Sequence, residues 1–144
     1  AGAGMGAYAC SKFAMEAFSD TLRQEVFQFG VSVSVIEPGF TQTPLVYSAS
    51  ADYERNWDVL APNARSLYKK EYESGKKMMP RVYAGAGPVD NVAKAVEHAV
   101  TASRPKTRYL VGIDANVLAV LAMIFPDRLR DAIFAAPELV FGKK

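Results

Sequence analysis

An α/β or α+β domain is the class this sequence predicts, and three observations carry it. The stretch from Tyr8 to Phe29 holds no Pro or Gly and repeats apolar residues at helical spacing. Val31, Val33 and Val35 alternate with Ser32 and Ser34, the period of a strand. A second helical pattern, Val89 to Ala102, is followed by another short strand-like run, Arg108 to Val111. At 144 residues, half of them apolar and with a net charge of +2, the chain is one ordinary domain's worth of sequence.

In the first helix Phe18, Leu22 and Val26 recur every four residues, with Met15 and Phe29 near the same face, and Gly30 ends it. The strand over 31–36 is halted by Glu37-Pro38-Gly39, a turn signal. After a loop through Pro44, the segment from about Asp52 to Lys77 is helical in composition, interrupted near Pro62, with Tyr53, Trp57, Tyr68 and Tyr72 along it. Gly75 and the run Gly85-Ala86-Gly87-Pro88 close that segment. Pro88 then starts a helix whose expected buried stripe is Val92, Val96, Ala99 and Val100. Beyond the strand over 108–111, short helices are expected over Ala115–Phe125 and Asp127–Phe134, split by Pro126. Phe13, Phe18, Phe27 and Phe29 are expected in the core, and His98 on a helix surface.

Several functions are excluded by composition. Seventeen Lys and Arg are interspersed with fifteen Asp and Glu, and the densest run, Lys69 to Lys77, alternates with Glu71 and Glu73 as a solvated helix face does, so no nucleic-acid partner is expected. A single cysteine, Cys10, and a single histidine, His98, leave no disulfide and no metal-ligand set. The most apolar stretch, Val117 to Phe125, falls short of the ~20 residues of a membrane span. A cytoplasmic protein is therefore expected, with peripheral contact to a membrane surface as the alternative. Because the sequence opens on Ala1 and shows no signal peptide, an N-terminal part is expected to precede it.

The opening run AGAGMGAYACSK poses a choice. Gly2, Gly4 and Gly6 are spaced G-x-G-x-G, whereas a dinucleotide phosphate loop needs a strand before it and an acidic residue about 20 positions later at the end of a second strand. Asp20 and Glu25 lie instead inside a continuous helical pattern, which disfavours the phosphate loop. The other reading places Tyr8 and Lys12 four apart on one helix face with small residues before them. An ammonium beside a phenol favours its ionised form, which suits proton transfer at neutral pH. The spacing recurs at Tyr72 and Lys76, read as an exposed helix face, so context must decide.

That context is a resemblance. The run YACSKFAMEAFSDTLRQEV, followed by VSVSVIEPGFTQT, resembles the catalytic helix, sixth strand and cofactor-capping turn of the short-chain dehydrogenase/reductase family. The later stretch VEHAVTASRPKTRYLVGIDANVLAVLAMIFPDRLRDAI is similar to the retinol and hydroxysteroid dehydrogenase branch, with a Thr-Arg-Tyr strand start and a Gly-x-Asp-Ala turn. The resemblance covers nearly the whole chain and is loosest over 44–87, the family's substrate loop. It implies an α/β fold, the C-terminal part of a Rossmann-type doubly wound parallel sheet: catalytic helix, strand and capping turn in 1–43, substrate loop and helices in 44–87, and a C-terminal helix, strand and helices in 88–144.

By the same resemblance, Tyr8 exchanges a proton with the oxygen of a small-molecule alcohol or ketone. Lys12 binds the nicotinamide ribose and favours the phenolate. Pro38 and Gly39 form the turn that passes the nicotinamide, the backbone near Thr41 meets its carboxamide, and the hydroxyl of Thr43 bonds the cofactor, NAD or NADP. Thr41 stands where valine is commoner, and Ser11 is a packing residue. The family's glycine-rich loop, the residue that selects NAD or NADP, its Asn-Ala-Gly motif and its catalytic serine would all fall before Ala1. The isolated chain is thus expected to be inactive, with a half-built core and an apolar face on the 8–29 helix that joins a homo-oligomer. The alternative is a non-catalytic fragment that associates with a relative through that helix.

Overall fold

The computed structural model describes residues 5–135. Six α-helices and two strands follow in the order α1 (Gly6–Val26), β1 (Val35–Pro38), α2 (Pro44–Asp58), α3 (Pro62–Ala84), α4 (Val89–Thr101), β2 (Arg108–Val111), α5 (Ile113–Ile124) and α6 (Asp127–Ala135). A 3-10 turn, Phe27–Phe29, tightens the end of α1, and Gly30 stops it with φ of 70°, its N–H donating to the Phe27 carbonyl. That left-handed cap is the reason a glycine stands there. Gly2 and Gly4 lie outside the described residues, and Gly6 is the first residue of α1.

β1 and β2 pair in parallel, Val35 opposite Arg108 through Pro38 opposite Val111. The strand expected over 31–36 therefore sits at 35–38 and takes in the Glu37-Pro38 pair that reads as a stop signal. Pairing explains the shift. The ladder runs from Val35 N–H, donating to the Thr107 carbonyl at 2.9 Å, to Gly39 N–H, donating to the Val111 carbonyl at 2.8 Å. Amides alternate sides along a strand, so the ring nitrogen of Pro38 falls on the edge away from β2, where no donor is required. Ser34 helps set the register by donating its hydroxyl to the Lys106 carbonyl at 2.7 Å.

The region between the strands also departs from expectation. Pro44 and Pro62 each open a helix at the position where a missing N–H costs nothing. The helical segment expected over 52–77 does break near Pro62, and its two helices reach further than expected: α2 begins at Pro44, where a loop was expected, and α3 runs through Gly75 to Ala84. Gly75 is a packing residue, because a Cβ there would strike the hydroxyl of Tyr53. The helices α2 and α3 are clasped by a stack in which Tyr72 lies between Tyr53, with ring centroids at 5.1 Å, and Trp57, at 4.1 Å. Each such ring pair contributes about 0.5–1.5 kcal/mol beyond area burial. Lys76 closes the clasp on Glu54 at 2.7 Å, which raises the lysine above its ordinary value. Tyr72 is thus half-buried and not on an exposed face, and helix packing accounts for Tyr53 and Trp57, while Tyr68 is exposed. Gly75→Ala is expected to lower the melting temperature even though alanine is the better helix former by about 1 kcal/mol. In a Tyr53→Ala background the same change is expected to raise it, which thermal denaturation of the four proteins checks.

Among the described residues only Ala86 and Tyr109 are buried. The phenylalanines expected in the core, Phe13 and Phe18 on α1 and Phe27 and Phe29 in the turn after it, are all exposed. Likewise Val96 and Val100 of the expected α4 stripe are exposed, while Val92 and Ala99 are half-covered. His98 is exposed on α4, as expected, and its Nδ1 lies 2.8 Å from the Tyr109 hydroxyl, which also accepts the Lys106 N–H at 3.0 Å. That bond ties the last turn of α4 to β2. No helix among the described residues is long and apolar enough to cross a membrane.

Candidate active site

The first turns of α1 carry Tyr8 and Lys12 on one side of the helix, as four-residue spacing requires. The Lys12 ammonium stands 5.3 Å from the centroid of the Tyr8 ring. Tyr8 is 56% exposed, and among the described residues its hydroxyl takes part in no hydrogen bond and Lys12 in no ion pair. Neither side chain is therefore engaged elsewhere among the described residues. Ser11 is exposed and turns its hydroxyl back to the Tyr8 carbonyl at 2.7 Å, a local bond within α1.

Residues 38–43 form a second group. Gly39 extends the ladder to Val111, and the Phe40 N–H donates to Asp114 Oδ2 at 2.6 Å. Thr41 bridges in parallel to Gly87: the Gly87 N–H donates to the Phe40 carbonyl at 2.8 Å and the Gln42 N–H to the Gly87 carbonyl at 2.9 Å. Gln42 Nε2 adds a bond to the Ala86 carbonyl at 3.0 Å. In such a bridge the backbone groups of the central residue point away from the partner. Thr41 N–H accordingly bonds to nothing among the described residues, and it alone of the amides from Gly39 to Gln42 is left over. The Thr41 hydroxyl donates to the Gly39 carbonyl at 3.1 Å. Thr43 is the N-cap of α2 with extended backbone, and its hydroxyl makes no capping bond. An unused backbone donor beside an unused hydroxyl is a donor set that fits a polar amide such as a nicotinamide carboxamide.

No hydrogen bond or ion pair among the described residues joins Tyr8 and Lys12 to this turn. What links α1 to the sheet is Arg108 at the start of β2, which pairs with Glu16 and with Asp20 at 3.0 Å on α1 and with Glu37 at 3.1 Å on β1. These carboxylates, Glu16 and Glu37 first, hold Arg108 above its already high ordinary value. An open groove of about 490 Å3 runs along β2 past Asn91, Lys106, Arg108 and Asn116, and it includes neither Tyr8 nor Lys12.

Sequence reasoning missed Asp114 as a partner of the turn. Its signal was the Gly112-Ile113-Asp114-Ala115 run, whose first residue has a φ of 109° that favours glycine.

Comparison with known proteins adds to this geometry. A family model described as short chain dehydrogenase matches residues 1–54. Retinol dehydrogenase 5 of Homo sapiens is 38% identical over 133 residues, covering 89% of this chain and 42% of that protein. Retinol dehydrogenase 16 of Rattus norvegicus is 35% identical over 133 residues, covering 90% and 42%. Short-chain dehydrogenase/reductase family 9C member 7 of Mus musculus is 34% identical over 134 residues, covering 90% and 43%. The chain thus spans about two fifths of the length of these relatives. No solved structure matches it.

Proposed function

We propose, from the match to a short-chain dehydrogenase model over residues 1–54 and the similarity to retinol dehydrogenase 5 over 89% of the chain, that the full-length protein carrying it is a member of that family and interconverts an alcohol and a ketone with NAD or NADP. The names of the similar proteins favour a bulky apolar substrate, such as a retinoid, a steroid or another lipid-like alcohol. One observation carries the reading: Tyr8 and Lys12 share one exposed face of α1 with neither side chain engaged elsewhere among the described residues.

In this reading the nicotinamide, when bound, gives or takes the hydride. The chain's own residues do the rest. In oxidation the Tyr8 oxygen takes the proton of the substrate hydroxyl as the C–H bond breaks, and in reduction it returns that proton to the carbonyl oxygen. The Lys12 ammonium is placed to stabilise negative charge on the phenolic oxygen during transfer and to donate to the cofactor ribose. Pro38 and Gly39 shape the turn beside the ring, the Thr41 N–H is the donor for the carboxamide, and the Thr43 hydroxyl is the second donor.

The test is an absorbance assay of dinucleotide reduction and oxidation with a panel of apolar alcohols and ketones. Turnover is expected from the full-length protein with NAD or NADP, and none from the 144 residues alone. A folded full-length protein inactive across the panel with both dinucleotides would sink the reading. A second reading, a non-catalytic chain that associates through α1, draws on the exposed Phe13, Phe18, Phe27 and Phe29. It requires co-sedimentation of the isolated chain with a full-length relative.

A further inference from the structure

We propose that Asp114 is the positioning residue of the cofactor-capping turn, fixing the backbone at Phe40 so that Thr41 N–H presents itself to the ligand; the proposal rests on the functional reading above. The ladder takes the amides of Val35 and Gly39, so by the alternation along β1 the amide of Phe40 falls on the side away from β2. The next amide, Phe40 N–H, would be left without a strand partner. Asp114 supplies one at 2.6 Å from the first turn of α5. A carboxylate accepting from a backbone amide makes a charge-assisted bond, roughly twice as strong as a neutral one.

Two glycines make room for this contact. A Cβ on Gly39 would collide with the Asp114 carboxylate, and Gly112, with φ of 109°, lets the chain turn from β2 into α5 so that Asp114 faces the 39–40 peptide. The other side of the turn is held by the bridge to Gly87. Phe40 is therefore pinned at its N–H by Asp114 and at its carbonyl by Gly87, which fixes the peptide that carries Thr41 N–H. Neither Asp114 nor Gly87 needs to touch the cofactor. They set the direction of the one amide that is left to bind it.

The test uses the full-length protein with Asp114→Ala, Asp114→Asn, Gly39→Ala and the Gly39→Ala/Asp114→Ala pair. Asp114→Ala is expected to raise the KM for the dinucleotide about 10- to 100-fold, the worth of one charged hydrogen bond, with the KM for the alcohol within about twofold at saturating dinucleotide. Asp114→Asn keeps an acceptor oxygen of the same shape and is expected to recover most of that loss. Gly39→Ala is expected to impair dinucleotide binding as well, and the double variant to be no worse than the worse single, since both remove the same contact. Hydrogen exchange of the peptide spanning 39–43, followed by mass spectrometry, is expected to quicken in Asp114→Ala and to stay slow in Asp114→Asn. Unchanged exchange in Asp114→Ala overturns the proposal. So does an Asp114→Asn protein as impaired as Asp114→Ala with both KM values raised together. The exchange readout needs no turnover, so a full-length protein without dinucleotide-dependent activity defeats the functional reading while the hold of Asp114 on Phe40 is still judged.

Discussion

Replacing Tyr8 by Phe in the full-length protein is expected to lower kcat/KM for the alcohol by about 10²- to 10⁴-fold, the usual contribution of a positioned general acid or base. The ring stays and one hydroxyl goes. That hydroxyl bonds to nothing among the described residues, and Tyr8 is 56% exposed, so the melting temperature should not move. Dinucleotide affinity, read from the fluorescence of the reduced cofactor, should change little because Lys12 and the turn at 38–43 remain. A loss confined to kcat with binding and stability intact is the signature of proton transfer. Activity within a few-fold of the parent would mean that another group moves the proton and that the Tyr8–Lys12 pair is a surface feature of α1.

Arg108→Met should have the second largest effect, on stability. Arg108 reaches Glu16 and Asp20 on α1 and Glu37 on β1, and it is 40% exposed. Partial exposure limits what each contact gives: the Glu16 and Glu37 pairs are worth about 0.2–1 kcal/mol apiece, the range of surface pairs, and far less than a buried pair. A fall of a few degrees in melting temperature is expected, together with looser attachment of α1 to the sheet, visible as faster amide exchange along 6–26. The pH dependence has a definite sign. Asp20 is held below the ordinary carboxylate value, first by its hydrogen bond from Arg23 and then by the charge of Arg108. A depressed carboxylate contributes stability above its unfolded value near ~4 and loses it as pH falls through the lower folded one. The gap in melting temperature between the parent and Arg108→Met should therefore be full at neutral pH and shrink below about pH 4. A gap that persists at acid pH would mean that Arg108 acts through the packing of its aliphatic stem and not through its charge.

Local chemistry was legible in the chain itself. The absence of Pro and Gly over 8–29 and the glycine at 30 define α1 and its left-handed end, because helix propagation and capping are decided within a few residues. Four-residue spacing puts Lys12 beside Tyr8 for the same reason. The motifs that follow, Pro38-Gly39 and Gly112-Ile113-Asp114-Ala115, were visible as turns; the first lies in the match to short-chain dehydrogenases over residues 1–54 and the second in the longer similarity to retinol dehydrogenase 5. Pairing was not visible. Which four residues of the Val31–Pro38 run become a strand depends on where β2 begins and ends, some 70 residues away.

The sequence by itself thus determined α1, the resemblance to a family and the Tyr8–Lys12 spacing, all of which are written in residues close along the chain. Only the tertiary structure decided that Tyr72 is clasped between Tyr53 and Trp57, that His98 meets Tyr109, and that Asp114 holds Phe40. Those contacts join groups 11 to 74 positions apart. No local periodicity encodes them, because they are set by how helices and strands stack once their shapes are fixed.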